Sequence, residues 1–181
     1  MTSSRWVLLL RGINLGPRNR IAMPRLRELL AGQGFVDVQT YLQSGNVVLS
    51  SDSGAAELEA ACQELIAAEL GLDIPVLARS AEALAAVVAD NPLGDVADNP
   101  KRYQVTFLRS ELPESRIQEL AALAQGGERL VGRGLELYAW HPDGVARSKL
   151  STKLAGASLG VPATSRNWTT VTTLAEMAAS G

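Results

Sequence analysis

An α+β fold made of two ferredoxin-like lobes of the split β-α-β type, arranged as a duplication, is what this sequence predicts. Three observations carry the prediction. Over the first 79 residues, short apolar runs alternate with longer segments at helical spacing, in the order strand, helix, strand, strand, helix, strand. The same order recurs after residue 100 with little residue identity. Between the copies, residues 91–100 hold Pro92, Gly94 and Pro100, the punctuation of a boundary. The expected organisation is a first lobe over residues 1–79, a linking helix and loop over 80–100, and a second lobe with a C-terminal helix over 101–181.

Each element has its own signal. Residues 6–10 are apolar and stop at Arg11-Gly12, as a strand buried on both faces would. A helix should begin near Pro24, which suits the first helical position, carry Leu26, Leu29 and Leu30 inward, and end at Gly32 and Gly34. Residues 35–42 predict a strand with Val36, Val38 and Thr40 on one face. Gln43-Ser44-Gly45-Asn46 has turn chemistry, and Val47-Val48-Leu49 completes a hairpin. Residues 54–71 space Leu58, Cys62, Leu65, Ile66 and Leu70 as a helix, and residues 74–78 close the lobe as a strand. Ser80 is placed to cap a linking helix with Leu84, Val87 and Val88, ending before Asn91-Pro92. In the second copy the strand is 103–108, and a helix near Pro113 buries Ile117, Leu120 and Leu123. A hairpin joins 128–131 to 135–140 around Gly132-Arg133-Gly134. Ser148 caps a helix with Leu150 and Leu154, residues 162–166 form a short strand, and 170–179 a terminal helix.

Composition narrows the function classes. The chain has 181 residues, of which 46% are apolar and 20% charged, with a net charge of -2. That length lets roughly 70% of the unfolded surface be buried, and the charge provides no global field for nucleic acid or an anionic membrane. One cysteine, Cys62, and one histidine, His141, exclude an intramolecular disulfide and a soft-ligand zinc site. No apolar run is long enough to span a bilayer, and the N-terminal apolar segment ends at Arg11, too soon for a secretory signal. A cytoplasmic protein is expected, with no membrane, metal or cofactor demanded. Cys62 sits on an apolar helical stripe and reads as an inert buried thiol. His141, beside Pro142 in a turn, reads as a surface histidine.

Topology gathers the polar residues at two rims. If the first and third strands of a lobe are antiparallel neighbours, Arg11 and Asn14, with Asn19 further along the loop, lie beside Ser44 and Asn46. That rim offers a guanidinium, carboxamides, a hydroxyl and free turn amides to an oxyanion. In the second lobe, the start of the second helix and the end of the last strand share a rim that carries Arg147, Ser148 and Lys149 with Arg166, Asn167 and Trp168. A lysine at a helix start opposes the dipole, and an anion there would reconcile the two. The expectation is a small anionic or phosphorylated ligand held in a cleft between the lobes. Gly12-Ile13-Asn14-Leu15-Gly16 is not a dinucleotide fingerprint, and no phosphate-loop motif occurs.

These motifs also carry a resemblance. Leu9-Leu10-Arg11-Gly12-Ile13-Asn14, Tyr41-Leu42-Gln43-Ser44-Gly45-Asn46-Val47-Val48, Ser148-Lys149-Leu150 and the run from Thr164 to Val171 resemble, in order, the family called domain of unknown function 1697. The resemblance implies a bacterial-type cytoplasmic protein of two ferredoxin-like lobes and implies no established activity. Gly16-Pro17-Arg18-Asn19 departs from the family's usual Gly-Gly-Lys-Asn, which keeps the charge at Arg18 but stiffens the loop.

Three functions compete. A small-ligand binder or enzyme would rest on charge stabilisation by Arg11, Lys149 or Arg166 rather than on a histidine base. A nucleic-acid platform would want a basic excess and paired exposed aromatics on the early strands, and the sequence has neither. An interaction module would have its rims covered by a partner or a second copy. The first is favoured; the motifs name neither the reaction nor the oligomeric state.

Overall fold

The computed structural model describes residues 3–181. Met1 and Thr2, the start of the N-terminal segment judged too short for a secretory signal, lie outside the described residues. The chain divides into two compact units, one comprising residues up to Ala86 together with Thr173–Gly181, the other Val87–Thr172.

In the first unit, β1 (Ser4–Leu10), α1 (Met23–Gly32), β2 (Val36–Tyr41), β3 (Asn46–Ser51), α2 (Ala55–Leu70) and β4 (Val76–Ser80) follow in the expected order. The strands form one sheet in the order β2-β3-β1-β4, with every neighbour antiparallel. Leu8 and Leu10 face the core made by Leu26, Leu30, Leu58, Cys62 and Ile66 of α1 and α2. Val7 and Leu9 alternate with them, so they point to the other face, and they too are fully buried. Gly71 ends α2 in the left-handed conformation at φ 65°.

The second unit repeats the plan with β5 (Tyr103–Leu108), α4 (Glu114–Ala121), β6 (Arg129–Arg133), β7 (Glu136–Trp140), α5 (Lys149–Ala155) and β8 (Ala163–Asn167). Its sheet runs β6-β7-β5-β8, again all antiparallel. Leu108, Leu137 and Ala139 pack on Leu120, Leu150 and Leu154. Two further helices, α3 (Ala81–Asp90) and α6 (Trp168–Ala179), each follow the last strand of a repeat. Ser80 Oγ accepts the Ala83 N–H, and Asn167 Oδ1 accepts the Thr170 N–H, so equivalent residues cap the two helices.

The repeats match in backbone detail. Leu10 and Arg11 donate their N–H groups to Gly45 and Pro75 carbonyls, and Leu108 and Arg109 donate to Leu135 and Pro162. Arg79 pairs with Val7 as Arg166 pairs with Val105. Both arginines are buried, and each donates through one guanidinium nitrogen to the carbonyl of the preceding residue. The equivalence supports a duplicated two-lobe arrangement.

Several local expectations are corrected. β4 begins at Val76, after Pro75, which has no N–H to give a ladder, and runs on to Ser80. Val36 does not share a buried face with Val38 and Thr40. A register shift lies between Val36 and Gln39, Asp37 takes a positive φ of 52°, and Val36 is left 56% exposed. Asn46 belongs to β3 rather than to the turn. α6 starts at Trp168, earlier than expected, directly after its cap.

Candidate functional site

In the first unit the rim forms where β1 ends and β3 begins, Leu9 pairing with Asn46. Asn14 is fully engaged. Its Nδ2 donates to Ile21 O at 2.9 Å and Gln43 O at 2.7 Å, while its Oδ1 accepts the Ile21 N–H at 3.0 Å. These bonds tie the loop of residues 11–22 to itself and to the hairpin turn. Asn46 is completely buried and donates to Tyr41 O and Ser44 Oγ. Asn19 reaches Gly12 O at 3.5 Å. Arg11 is half-buried. The carboxamides predicted from sequence are therefore together at this rim, and each holds backbone in place. Gly45 is required there: at φ +82°, a Cβ would stand 2.6 Å from Leu10 Cβ and 2.8 Å from Ile13 Cδ1.

In the second unit the polar groups collect where β5 starts and β7 ends. Arg129 pairs with Trp140, so Glu128 and His141 come next to each other past the end of the ladder. His141 is wholly buried, not a surface residue as its turn position suggested. Its Nδ1 lies 2.7 Å from Glu128 Oε1 and 3.2 Å from Ser148 Oγ. Burial pushes the Glu128 carboxyl up. Hydrogen bonds from His141 and Ser148 and from the Gln125 N–H outweigh that and hold it below the ordinary carboxylate range. Glu128 is thus an anion with His141 Nδ1 against its Oε1. Nε2 is buried with no partner. Ser148 Oγ also accepts the Ser151 N–H at 2.9 Å as the cap of α5.

The start of α5 borders two open hollows. One, of about 660 Å³, is lined by Arg147, Lys149 and Lys153, with Ser148, Thr152 and Ser158 around them. The other, of about 640 Å³, shares residues 146–149 and adds Glu128 and Asp143. Arg147 and Lys149 are exposed, and none of the three cations of the first hollow is ion-paired among the described residues. The first hollow has no carboxylate in its lining, so it is the one whose charge suits an anion.

The remaining predicted residues stand apart from that lining. Arg166 is buried, donates to Thr164 Oγ1 and Ser165 O at 2.8 Å, and has its guanidinium pushed down to about 10 by burial. Asn167 caps α6, and Trp168 stacks on Tyr103 with ring centroids 4.7 Å apart. Glu128, His141, Thr152, Lys153 and Ser158 were not anticipated as site residues. Among the described residues, no three His, Cys, Asp or Glu side chains converge in a way that could hold a metal, and no helix is long and apolar enough to cross a membrane.

A family model described as Protein of unknown function (DUF1697) matches residues 3–138. The chain belongs to this family. The DUF1697 match takes in the first unit's rim and ends within β7. The motifs at residues 148–150 and 164–171, and the three cations of the hollow with them, lie beyond it. The fold is similar to that of a conserved bacterial protein from Streptococcus pneumoniae, at a TM-score of 0.79 and 23% identity over 98% of this chain and 99% of that one. No curated protein matches the sequence.

Proposed function

We propose that this member of the DUF1697 family is a cytoplasmic protein of two ferredoxin-like lobes. Its second unit binds a small anionic compound, phosphorylated or carboxylate-bearing, in the hollow lined by Arg147, Lys149 and Lys153. The strand order of each sheet and the helix after its first and third strands support the fold reading. The observation that carries the ligand reading is the gathering of three cations without a lining carboxylate or an ion pair among the described residues. A phosphate or carboxylate supplies the missing counter-charge, and Arg147 offers it a bidentate fork.

In this reading the other motif residues support rather than touch the ligand. Ser148, held by Ser151 and His141, sets the direction of α5. Arg166, Asn167 and Trp168 fix the strand end and the helix beside it. In the first unit, Asn14, Asn19, Ser44 and Asn46 shape the rim that bears Arg11. Any catalysis at the hollow is charge stabilisation by Arg147 and Lys149, because the Ser148 hydroxyl already serves as a helix cap and His141 is sealed from solvent.

A thermal-shift screen with nucleotides, sugar phosphates and dicarboxylates tests the proposal, run on the wild type and on the Arg147→Ala/Lys149→Ala double variant. Stabilisation of the wild type by phosphorylated compounds, absent in the variant, is the expected result. Equal stabilisation of both proteins would place the ligand elsewhere.

A further inference from the structure

Charge is distributed unevenly along this chain. Residues 1–27 hold six arginines and no acidic residue, although the whole chain carries a net charge of -2. Most of the six have assigned partners. Arg5 donates to Asp37 O and Ser50 Oγ, Arg25 pairs with Glu28 and Glu69, Arg27 donates to Thr40, and Arg11 is half-buried and engaged. Arg18 and Arg20 are exposed, and neither is ion-paired among the described residues. Both flank Asn19, whose carbonyl accepts the Asn14 N–H at 3.1 Å and whose side chain reaches Gly12 O.

The loop that carries them is preformed. Ile13 and Ile21 are buried in the core and anchor its two ends, and Asn14 locks it by three hydrogen bonds. Arg20 Nε donates to Gly16 O, which holds that guanidinium over the loop. A compact surface loop with packed ends is a common vehicle for recognition, because little ordering remains to be done on binding.

Among the described residues, two of the three large exposed apolar side chains lie on this loop and on the turn bonded to it. Leu15 is 84% exposed and Leu42 is 54% exposed. They adjoin the two partners of one hydrogen bond: Leu15 follows Asn14, and Leu42 precedes Gln43, whose carbonyl accepts from Asn14 at 2.7 Å. Single exposed leucines need no explanation. A pair at the junction of the locked loop and the turn bonded to it, with Arg18 and Arg20 on the same loop as Leu15, has the anatomy of a small interface, an apolar centre with a charged rim. The aliphatic centre decides the partner class. A phosphodiester backbone makes no use of leucine, and single-stranded nucleic acid is usually held on aromatic platforms.

We propose that residues 11–22 and the adjoining turn form a docking surface for an acidic protein segment, one that presents an aliphatic side chain between carboxylates. The aliphatic group covers Leu15 and Leu42, and the carboxylates meet Arg18 and Arg20. The surface lies wholly in the first unit and does not depend on the anion-binding hollow.

Fluorescence anisotropy with a fluorescein-labelled peptide of alternating Glu and Leu tests this on the full chain. Wild type should bind, more weakly as salt rises. Affinity should fall about tenfold or more in Arg18→Glu/Arg20→Glu and severalfold in Leu15→Ser, while the urea midpoints of these exposed-site variants stay at the wild-type value. An alternating Glu–Ser peptide should bind more weakly than the Glu–Leu peptide. Absence of wild-type binding, equal binding by wild type and variants, or equal affinity for the Glu–Ser peptide would overturn the proposal. So would tighter binding of an oligouridylate that the same variants lose.

Discussion

The first unit places a long connection, residues 11–22, after its first strand and a short one, residues 52–54, after its third. The second unit reverses this, with residues 109–113 after its first strand and 141–148 after its third. The sheets beneath share strand order, the paired carbonyls at the end of the first strand, the buried arginine and the helix cap. What differs is the strand-to-helix connection that was elaborated. In the repeat frame the two long connections stand at opposite ends of the sheet, one where the first strand ends and one where it begins. The comparison teaches that the duplicated scaffold keeps its packing while the connections between its elements are free to grow independently.

The largest effect that can break this comparison is at a single backbone-equivalent pair. Gly45 O and Leu135 O accept the same hydrogen bond in their repeats. Only Gly45 has the long loop's Ile13 against it. Gly45→Ala should destabilise the protein by on the order of 3 kcal/mol, from left-handed strain together with overpacking. Leu135→Ala should cost roughly 1 kcal/mol, since that residue is only half-buried. Urea midpoints measure both, and equal effects would remove the distinction between the repeats.

Asn14→Ala comes next. It strips the lock from residues 11–22 and leaves the Ile21 N–H without its acceptor, a cost of about 1–3 kcal/mol. Hydrogen exchange should accelerate at Ile21 and in the loop, with the second unit's amides unchanged.

The second unit's long connection is sharpened by pH. The Glu128 carboxyl is held below its ordinary value of 4.5, so the folded state favours the carboxylate more than the unfolded state does. Its contribution to stability is complete above that value and is lost as pH falls through the lower, folded one. The stability gap between wild type and Glu128→Gln should therefore be widest near neutral pH and close in acid. A gap that widened as pH fell would contradict the assigned hydrogen bonds. The smallest effect belongs to Lys149→Ala: within about 0.5 kcal/mol of wild type in stability, with a clear loss of anion binding.

The sheets, the helix faces and the gathering of Arg11 and Asn14 with Ser44 and Asn46 were legible because they follow from apolar period and chain direction. The buried Cys62 followed from the same periodicity; burial pushes its thiol up to about 12. Three features were not legible. The Glu128–His141 pair depends on the hairpin register. A turn at Gly132-Arg133-Gly134 would set Glu128 opposite Tyr138, whereas the strand runs on to Arg133, which pairs with Glu136, and this brings Glu128 beside His141. His141 beside Pro142 also has the local chemistry of an exposed turn. The bulge at Asp37 depends on a positive φ that a single aspartate between two valines permits but does not require. The cationic hollow depends on Leu123, α5 and residues 156–158 meeting in space, which no local pattern encodes.

The most direct test is a two-dimensional amide NMR titration of the full chain with inorganic pyrophosphate. Saturable shifts confined to residues 146–153, abolished by Arg147→Ala/Lys149→Ala, are the result expected of an anion site at the start of α5. Shifts that leave those amides unmoved, or that persist in the double variant, would contradict it.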